Sequence, residues 1–107
     1  MSAEIEILEP SGRLDVTSAG QFRRQVSQIS TNKPKFLLID LKNISFMDSS
    51  GLGALVSALK TMRSVDGDMA ICSASEQVQM LFELTSMSKI FKIYASRDEF
   101  NAKVGAN

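Results

Sequence analysis

The sequence predicts an α/β domain built on a mainly parallel sheet. Short strand-like apolar segments alternate with helix-like ones along the chain, one strand is apolar on both faces, and one helix carries an unusually clean apolar stripe. Such alternation marks parallel strands joined by crossover helices. At 107 residues, the chain is expected to be one domain over 1–107, large enough to bury a single core without staples.

The elements follow in order. Glu4-Ile5-Glu6-Ile7-Leu8 alternates polar and apolar residues, as a strand with one covered face does. Pro10-Ser11-Gly12 interrupts it, and Gly12-Arg13-Leu14-Asp15 leads towards a helix. Ser18 with Gln21 reads as a capping box, and Ala19, Phe22, Val26 and Ile29 continue at helical spacing to an end near Ser30 to Asn32. Pro34 opens a second strand whose Phe36-Leu37-Leu38-Ile39 run lacks alternation, so it is expected to be central and covered on both sides. Asn43 to Met47 bridges to a helix beginning at Asp48-Ser49-Ser50-Gly51. Its Leu52, Leu55, Val56, Leu59 and Met62 form the clean stripe, and Asp66-Gly67 stops it. Met69 to Cys72 is a third strand. Ser73 with Glu76 is a second candidate capping box, before a helix carrying Val78, Leu81 and Phe82. Ile90 to Tyr94 is a fourth strand, and Ser96 with Glu99 caps a last helix carrying Phe100 and Val104, closed by Gly105.

Composition excludes several functions. Lys plus Arg equals Asp plus Glu at twelve each, which leaves no electrostatic footprint for nucleic acid or an anionic membrane. No apolar run is long enough to span a bilayer, and Met1-Ser2-Ala3-Glu4 does not open a signal peptide. One cysteine, Cys72, suits a reducing, cytoplasmic setting and reads as a small buried hydrophobe. Histidine is absent, so there is no Ser-His-Asp relay, no His-ligated zinc and no imidazole proton shuttle. An enzyme, a metal site and a cofactor are therefore not expected. Gly51-Leu52-Gly53 lacks the rest of any nucleotide fingerprint. The six methionines read as core fillers, with Met80 and Met87 open to exposure, and Arg13, Arg23 and Arg24 as solvated charges.

The functional candidate is Asp48-Ser49-Ser50-Gly51-Leu52-Gly53, just beyond a strand's carboxyl end, where open α/β sheets place their sites. Asp48 or Ser49 suits the N-cap, and capping alone is the plainest account of these residues. Three features ask for more. Three short polar side chains stand in a row. Gly51 and Gly53 sit in the first helical turn, where each costs up to about 1 kcal/mol against Ala unless something approaches the backbone. Opposite the apolar stripe lie Ser50, Gly53, Ser57, Lys60, Thr61 and Ser64, a mostly small face of the kind that docks a partner. A phosphate here would be tolerated by the helix N-terminus and would act on that interface.

Phe46-Met47-Asp48-Ser49-Ser50-Gly51-Leu52-Gly53 closely resembles the phosphorylation segment of STAS-domain anti-sigma-factor antagonists, and Ser11-Gly12-Arg13-Leu14-Asp15 resembles their Gly-x-Leu-Asp turn. The likeness runs from about Ile5 to Phe100, including the Val78 to Phe91 segment. It implies a STAS-like layer of mainly parallel sheet packed with helices, and a partner-switching cycle. In that cycle the unphosphorylated protein binds an anti-sigma factor that is also a serine kinase, and a sigma factor is freed. Phosphorylation of Ser49, with Ser50 as second choice, ends the binding, and a PP2C-type phosphatase resets it. The implied docking surface holds Asp15, Met47, Asp48, Ser49, Ser50, Gly51, Gly53 and Ser57. ATP belongs to the kinase, so no cofactor is implied.

One departure stands out. The family has an additional strand before the one leading to Gly-x-Leu-Asp, and only Met1 to Glu4 precede Ile5, so that first strand is expected to be missing. An uncovered sheet edge invites pairing with another chain, which predicts weak homodimerisation. Two other functions compete. A STAS subunit or regulator of a transporter or lipid-trafficking complex keeps the fold but does not need an intact acceptor serine. A hydrolase or transferase using Ser49 with Asp48 lacks any histidine or well-placed lysine to activate the hydroxyl.

Overall fold

A computed structural model describes residues 4–104. The residues on which the missing-first-strand expectation mainly rests, and Gly105, expected to close the last helix, lie outside the described residues. The element order is β1 (Ile5–Leu8), β2 (Ser11–Leu14), α1 (Ala19–Ser30), β3 (Phe36–Asp40), β4 (Asn43–Met47), α2 (Ser49–Ser64), β5 (Asp68–Cys72), α3 (Glu76–Leu84), one 3-10 turn (Met87–Lys89), β6 (Lys92–Tyr94) and α4 (Arg97–Val104). Every strand pair is parallel.

The expected parallel α/β architecture is present, but its strands divide between two sheets. Four strands pair in the order β1-β3-β5-β6, while β2 and β4 form a separate two-stranded sheet. Both members of the second sheet were expected to be connections. They continue the β1/β3 pairing: Leu8 lies opposite Ile39, and after a short break Ser11 lies opposite Asn43. Pro10 stands in that break, where a residue without an N–H cannot donate to a ladder. A further irregularity between Gly12 and Arg13 brings Leu14 opposite Met47. This last pairing positions the site.

Alternation along the central strands sorts the core. Leu37 and Ile39 of β3, with Met69 and Ile71 of β5, join one cluster with Phe22 and Val26 of α1, Leu55 and Met62 of α2, and Val78 and Phe82 of α3. Leu38, Ala70 and Cys72 face the other way and join Phe100 of α4. The run apolar on both faces is thus covered on both, as expected. Each fully buried Leu or Ile in such a layer stabilises the fold by about 1.5–3 kcal/mol. α4 is tied on by Arg97, whose Nε donates to the buried carboxylate of Asp40 at 2.6 Å and whose other arm pairs with Glu9.

Two helix starts differ from expectation. At α1, Ser18 holds the N-cap position but makes no side-chain cap bond. Its hydroxyl is engaged in the preceding turn, donating to Arg13 O at 2.7 Å and accepting from Asp15 N at 3.2 Å. At α3 the cap is Ser75, which accepts from Val78 N, while Ser73 has a left-handed backbone (φ 63°) unsuited to an N-cap. At α4 the expected pairing is present in modified form: Ser96 Oγ accepts from Glu99 N, and Glu99 accepts from Ala95 N.

Candidate functional site: the paired turns after β2 and β4

Leu14 and Met47 are register partners at the carboxyl ends of β2 and β4. The residues that follow them, Asp15 and Asp48, therefore begin two adjacent turns, each leading into a helix. In parallel strands both helices start at the same end, so the amino ends of α1 and α2 share one rim.

Asp48 is the N-cap of α2. Its extended backbone aims the carboxylate back along the chain, and Oδ1 accepts from Ser50 N at 2.9 Å and Gly51 N at 3.1 Å. Its own carbonyl accepts from Leu52 N at 2.9 Å. Ser49 is thus the first residue of the helix, and it is exposed, whereas Asp48 and Ser50 are half-buried. Neither serine hydroxyl has a hydrogen-bond partner among the described residues. The expectation that free N–H groups here would receive a phosphate changes accordingly. Two donors of the first turn are already held by Asp48, and a phosphate would have to compete with that carboxylate.

The neighbouring turn is internally bonded. Asp15 Oδ1 accepts from Thr17 Oγ1 at 2.6 Å and Thr17 N at 3.0 Å, and Oδ2 pairs with Arg13 Nε at 3.1 Å. The Thr17 hydroxyl, then Arg13, then the Thr17 N–H hold the Asp15 carboxyl below its ordinary pKa. Arg13 is more than a solvated charge: its guanidinium also lies 4.3 Å from the Phe46 ring centroid, bridging β2 to β4. At the tip of the turn Val16 is 75% exposed, an apolar side chain on an otherwise polar rim.

What approaches the backbone at Gly51 is the chain itself. A Cβ there would stand 2.0 Å from Leu14 O and 2.9 Å from Met47 Cγ. At Gly53 the nearest neighbour is one guanidinium nitrogen of Arg23, 3.9 Å from the Cβ position. Among the residues expected to form a docking surface, Asp15, Asp48, Ser49 and Ser50 are brought together on the rim. Gly53 and Ser57 follow along α2 and are half-buried, with α1 packed alongside. Met47 and Gly51 are buried beneath the rim and shape it from below.

The turns, the helix starts and the two-sheet core can be set beside known proteins. The STAS domain family profile matches residues 2–100. This chain belongs to the STAS domain family. Among STAS relatives, the anti-sigma F factor antagonist of Paenibacillus polymyxa is 34% identical over 82% of this chain and 76% of its own length. The anti-sigma-B factor antagonist of Listeria monocytogenes is 31% identical over 85% of this chain and 80% of its own. The crystal structure of TM1081 from Thermotoga maritima superposes with a TM-score of 0.84 at 28% identity, covering 94% of this STAS domain and 87% of that chain.

Two contributors to this STAS site were not legible in advance. Gln77 of α3 donates from Nε2 to Met47 O at 2.8 Å and accepts Met47 N at 3.0 Å. Val16 is a lone apolar residue inside a turn, with no periodicity to reveal it. The only advance signal for Gln77 was its place in the first turn of α3. Of the methionines, Met80 is 61% exposed and Met87 half-buried. No helix among the described residues is long and apolar enough to cross a membrane.

Proposed function

We propose that this STAS domain is an anti-sigma-factor antagonist switched by phosphorylation of Ser49. Unphosphorylated, it binds an anti-sigma factor that is also a serine kinase, and a sigma factor is released in the cytoplasm. The kinase phosphorylates Ser49 and lets go, and a PP2C-type phosphatase restores the binding form. The chain is a regulatory substrate and not an enzyme. Relatives of 31–34% identity that bear the antagonist name support this reading.

The observation that carries it is the exposure of Ser49. It is the accessible member of Asp48-Ser49-Ser50, it stands first in α2, and its hydroxyl is unpartnered among the described residues. Ser50, the second choice, is half-buried. The docking surface would comprise Asp15, Asp48, Ser49, Ser50, Gly53 and Ser57, underlain by Met47 and Gly51. A phosphoryl group adds a charge of about −1.5 to −2 beside Asp48 and Asp15. A partner that must desolvate this rim loses affinity about tenfold for each 1.4 kcal/mol of the resulting penalty. Because α2 is already capped by Asp48, the switch acts on the interface and leaves the fold in place. Among the described residues β1 is an edge of the four-stranded sheet, which adds weak self-association to the proposal; sedimentation showing only monomer at high concentration removes that part.

Peptide mass spectrometry tests the switch, on protein from its native cells or after incubation with their serine kinase and ATP. One phosphate on Ser49, abolished by Ser49→Ala, is expected. No phosphate on Ser49 or Ser50 while the kinase is demonstrably active overturns the reading.

A further inference from the structure

Met47 is the last residue of β4, directly before the Asp48 cap and the Ser49 acceptor. β2 lies along one side of β4, and among the described residues no strand lies along the other. On that other side the main chain of Met47 meets a single side chain. Gln77 takes both its N–H, at 3.0 Å, and its C=O, at 2.8 Å. A primary amide offers the same donor and acceptor as a peptide group, so Gln77 pairs with Met47 as a strand of one residue. It does so from the first turn of α3, whose own start is fixed by the Ser75 cap on Val78 N.

We propose that Gln77 is the positioning residue of the Ser49 acceptor, joining α3 to the switch turn through the Met47 main chain. This rests on the reading of Ser49 as the phosphate acceptor. Among the described residues no main chain pairs with this side of Met47, so the Gln77 amide supplies the hydrogen bonds that a neighbouring strand would. Asp48 follows within one bond, and its carboxylate reaches Ser50 N and Gly51 N only while its extended backbone is kept. Holding Met47 from outside therefore holds the cap, and the cap sets the direction of the Ser49 side chain. Leu14 O and the Gly51 backbone hold the same turn from the β2 side. The acceptor is gripped between two elements, and only the α3 grip depends on one side chain.

The test uses the whole protein with Gln77→Leu and Gln77→Glu. Amide NMR is expected to show exchange at Met47, Ser50 and Gly51 rising tenfold or more in Gln77→Leu, while amides of α1 and β5 keep their rates. In Gln77→Glu the ionised carboxylate accepts from Met47 N but cannot donate to Met47 O. Protonation restores the donor, so the Met47–Gly51 shifts return to wild-type positions as pH falls through the new carboxyl's pKa. A packing role alone produces no such pH-dependent rescue, and uniform exchange changes or unrescued shifts overturn the proposal. A second arm follows initial phosphorylation rates with native-cell extract and ATP across protein concentrations. Gln77→Leu is expected to lower the maximal rate at least fivefold while half-saturation stays within twofold. An unchanged rate beside a phosphorylated wild type rejects the positioning role. An unphosphorylated wild type in an extract whose kinase is demonstrably active rejects the Ser49 reading, while the NMR arm still decides for or against Gln77.

Discussion

The carbonyl of Leu14 rests against the backbone of Gly51, so closely that a Cβ on the glycine would lie 2.0 Å from the oxygen. β2 and the start of α2 are therefore in main-chain contact, and no flexible side chain can yield. Gly51→Ala is expected to cost about 1–3 kcal/mol by overpacking, despite the better helix propensity of Ala. A Cβ at Gly53 would make only an ordinary contact with the Arg23 guanidinium, at 3.9 Å, and Gly53→Ala is expected to stabilise the fold by up to about 1 kcal/mol. Urea unfolding of the two variants should move in opposite directions. If Gly53→Ala also weakens partner binding while raising stability, the bare backbone there serves the interface.

Asp48 carries two tasks that substitution separates. Asp48→Ala removes the bonds to Ser50 N and Gly51 N and is expected to cost about 1 kcal/mol, within the 0.5–2 kcal/mol range of lost caps. Asp48→Asn keeps an acceptor oxygen at the same place, and its thermal midpoint should stay near wild type. On the proposed switch, the Asn variant should retain binding and show a smaller loss on phosphorylation, since one like charge is gone. Equal loss in both proteins would assign the repulsion to other groups on the rim.

These effects show which parts of the molecule are legible in its residues. Leu52, Leu55, Leu59 and Met62 announce α2 because a local period of 3.6 is enough to sort them onto one face. Leu37, Leu38 and Ile39 announce a strand covered twice, and they do split between the two clusters. β2 is not legible because Ser11, Gly12 and Arg13 are all exposed, so no burial pattern marks them. Its strand character exists only through pairing with β4, which is distant in sequence. The same holds for Gln77, whose partner Met47 is 30 positions away. Ser73 and Ser75 are equally plausible caps by composition, and the positive φ at Ser73 decides between them. The acceptor turn was readable from its motif, whereas its supports are tertiary.

Acid should loosen the attachment of α4. Burial alone raises the Asp40 pKa, but the hydrogen bond from Arg97 and the N–H of Lys42 outweigh it and leave the carboxyl below its ordinary 3.8. A group depressed in the folded state contributes stability above its unfolded pKa and loses it as pH falls through the folded value. The Asp40 contribution is therefore complete well above 3.8 and fades below it. Asp40→Asn should lower stability at neutral pH, and the gap to wild type should narrow as pH drops through that range. Denaturation at a series of pH values measures it; a gap constant down to strong acid would mean that Asp40 takes no part.

Beside its Arg97 tie to Asp40, α4 holds to the sheet by one fully buried side chain, so it is expected to separate readily from the described fold. Phe100 is its buried residue, edge-on to Phe36 at 5.9 Å and to Tyr94 at 5.5 Å between ring centroids. Beneath it lie Leu38, Ala70 and Cys72, a face that none of the first three helices covers. Removing the ring in Phe100→Ala should cost about 3–5 kcal/mol if the helix stays docked, and less if it lifts away and water fills its place. Cys72 distinguishes the two. In the wild type its thiol is fully buried, and burial pushes its pKa above the ordinary value, so a thiol reagent should reach it only on unfolding. With α4 released, Cys72 should react at least tenfold faster in native buffer, while amides of α1 and α2 keep their protection. Equally slow reaction in Phe100→Ala would show that the sheet face stays closed, and the full cavity cost should then appear in the urea midpoint.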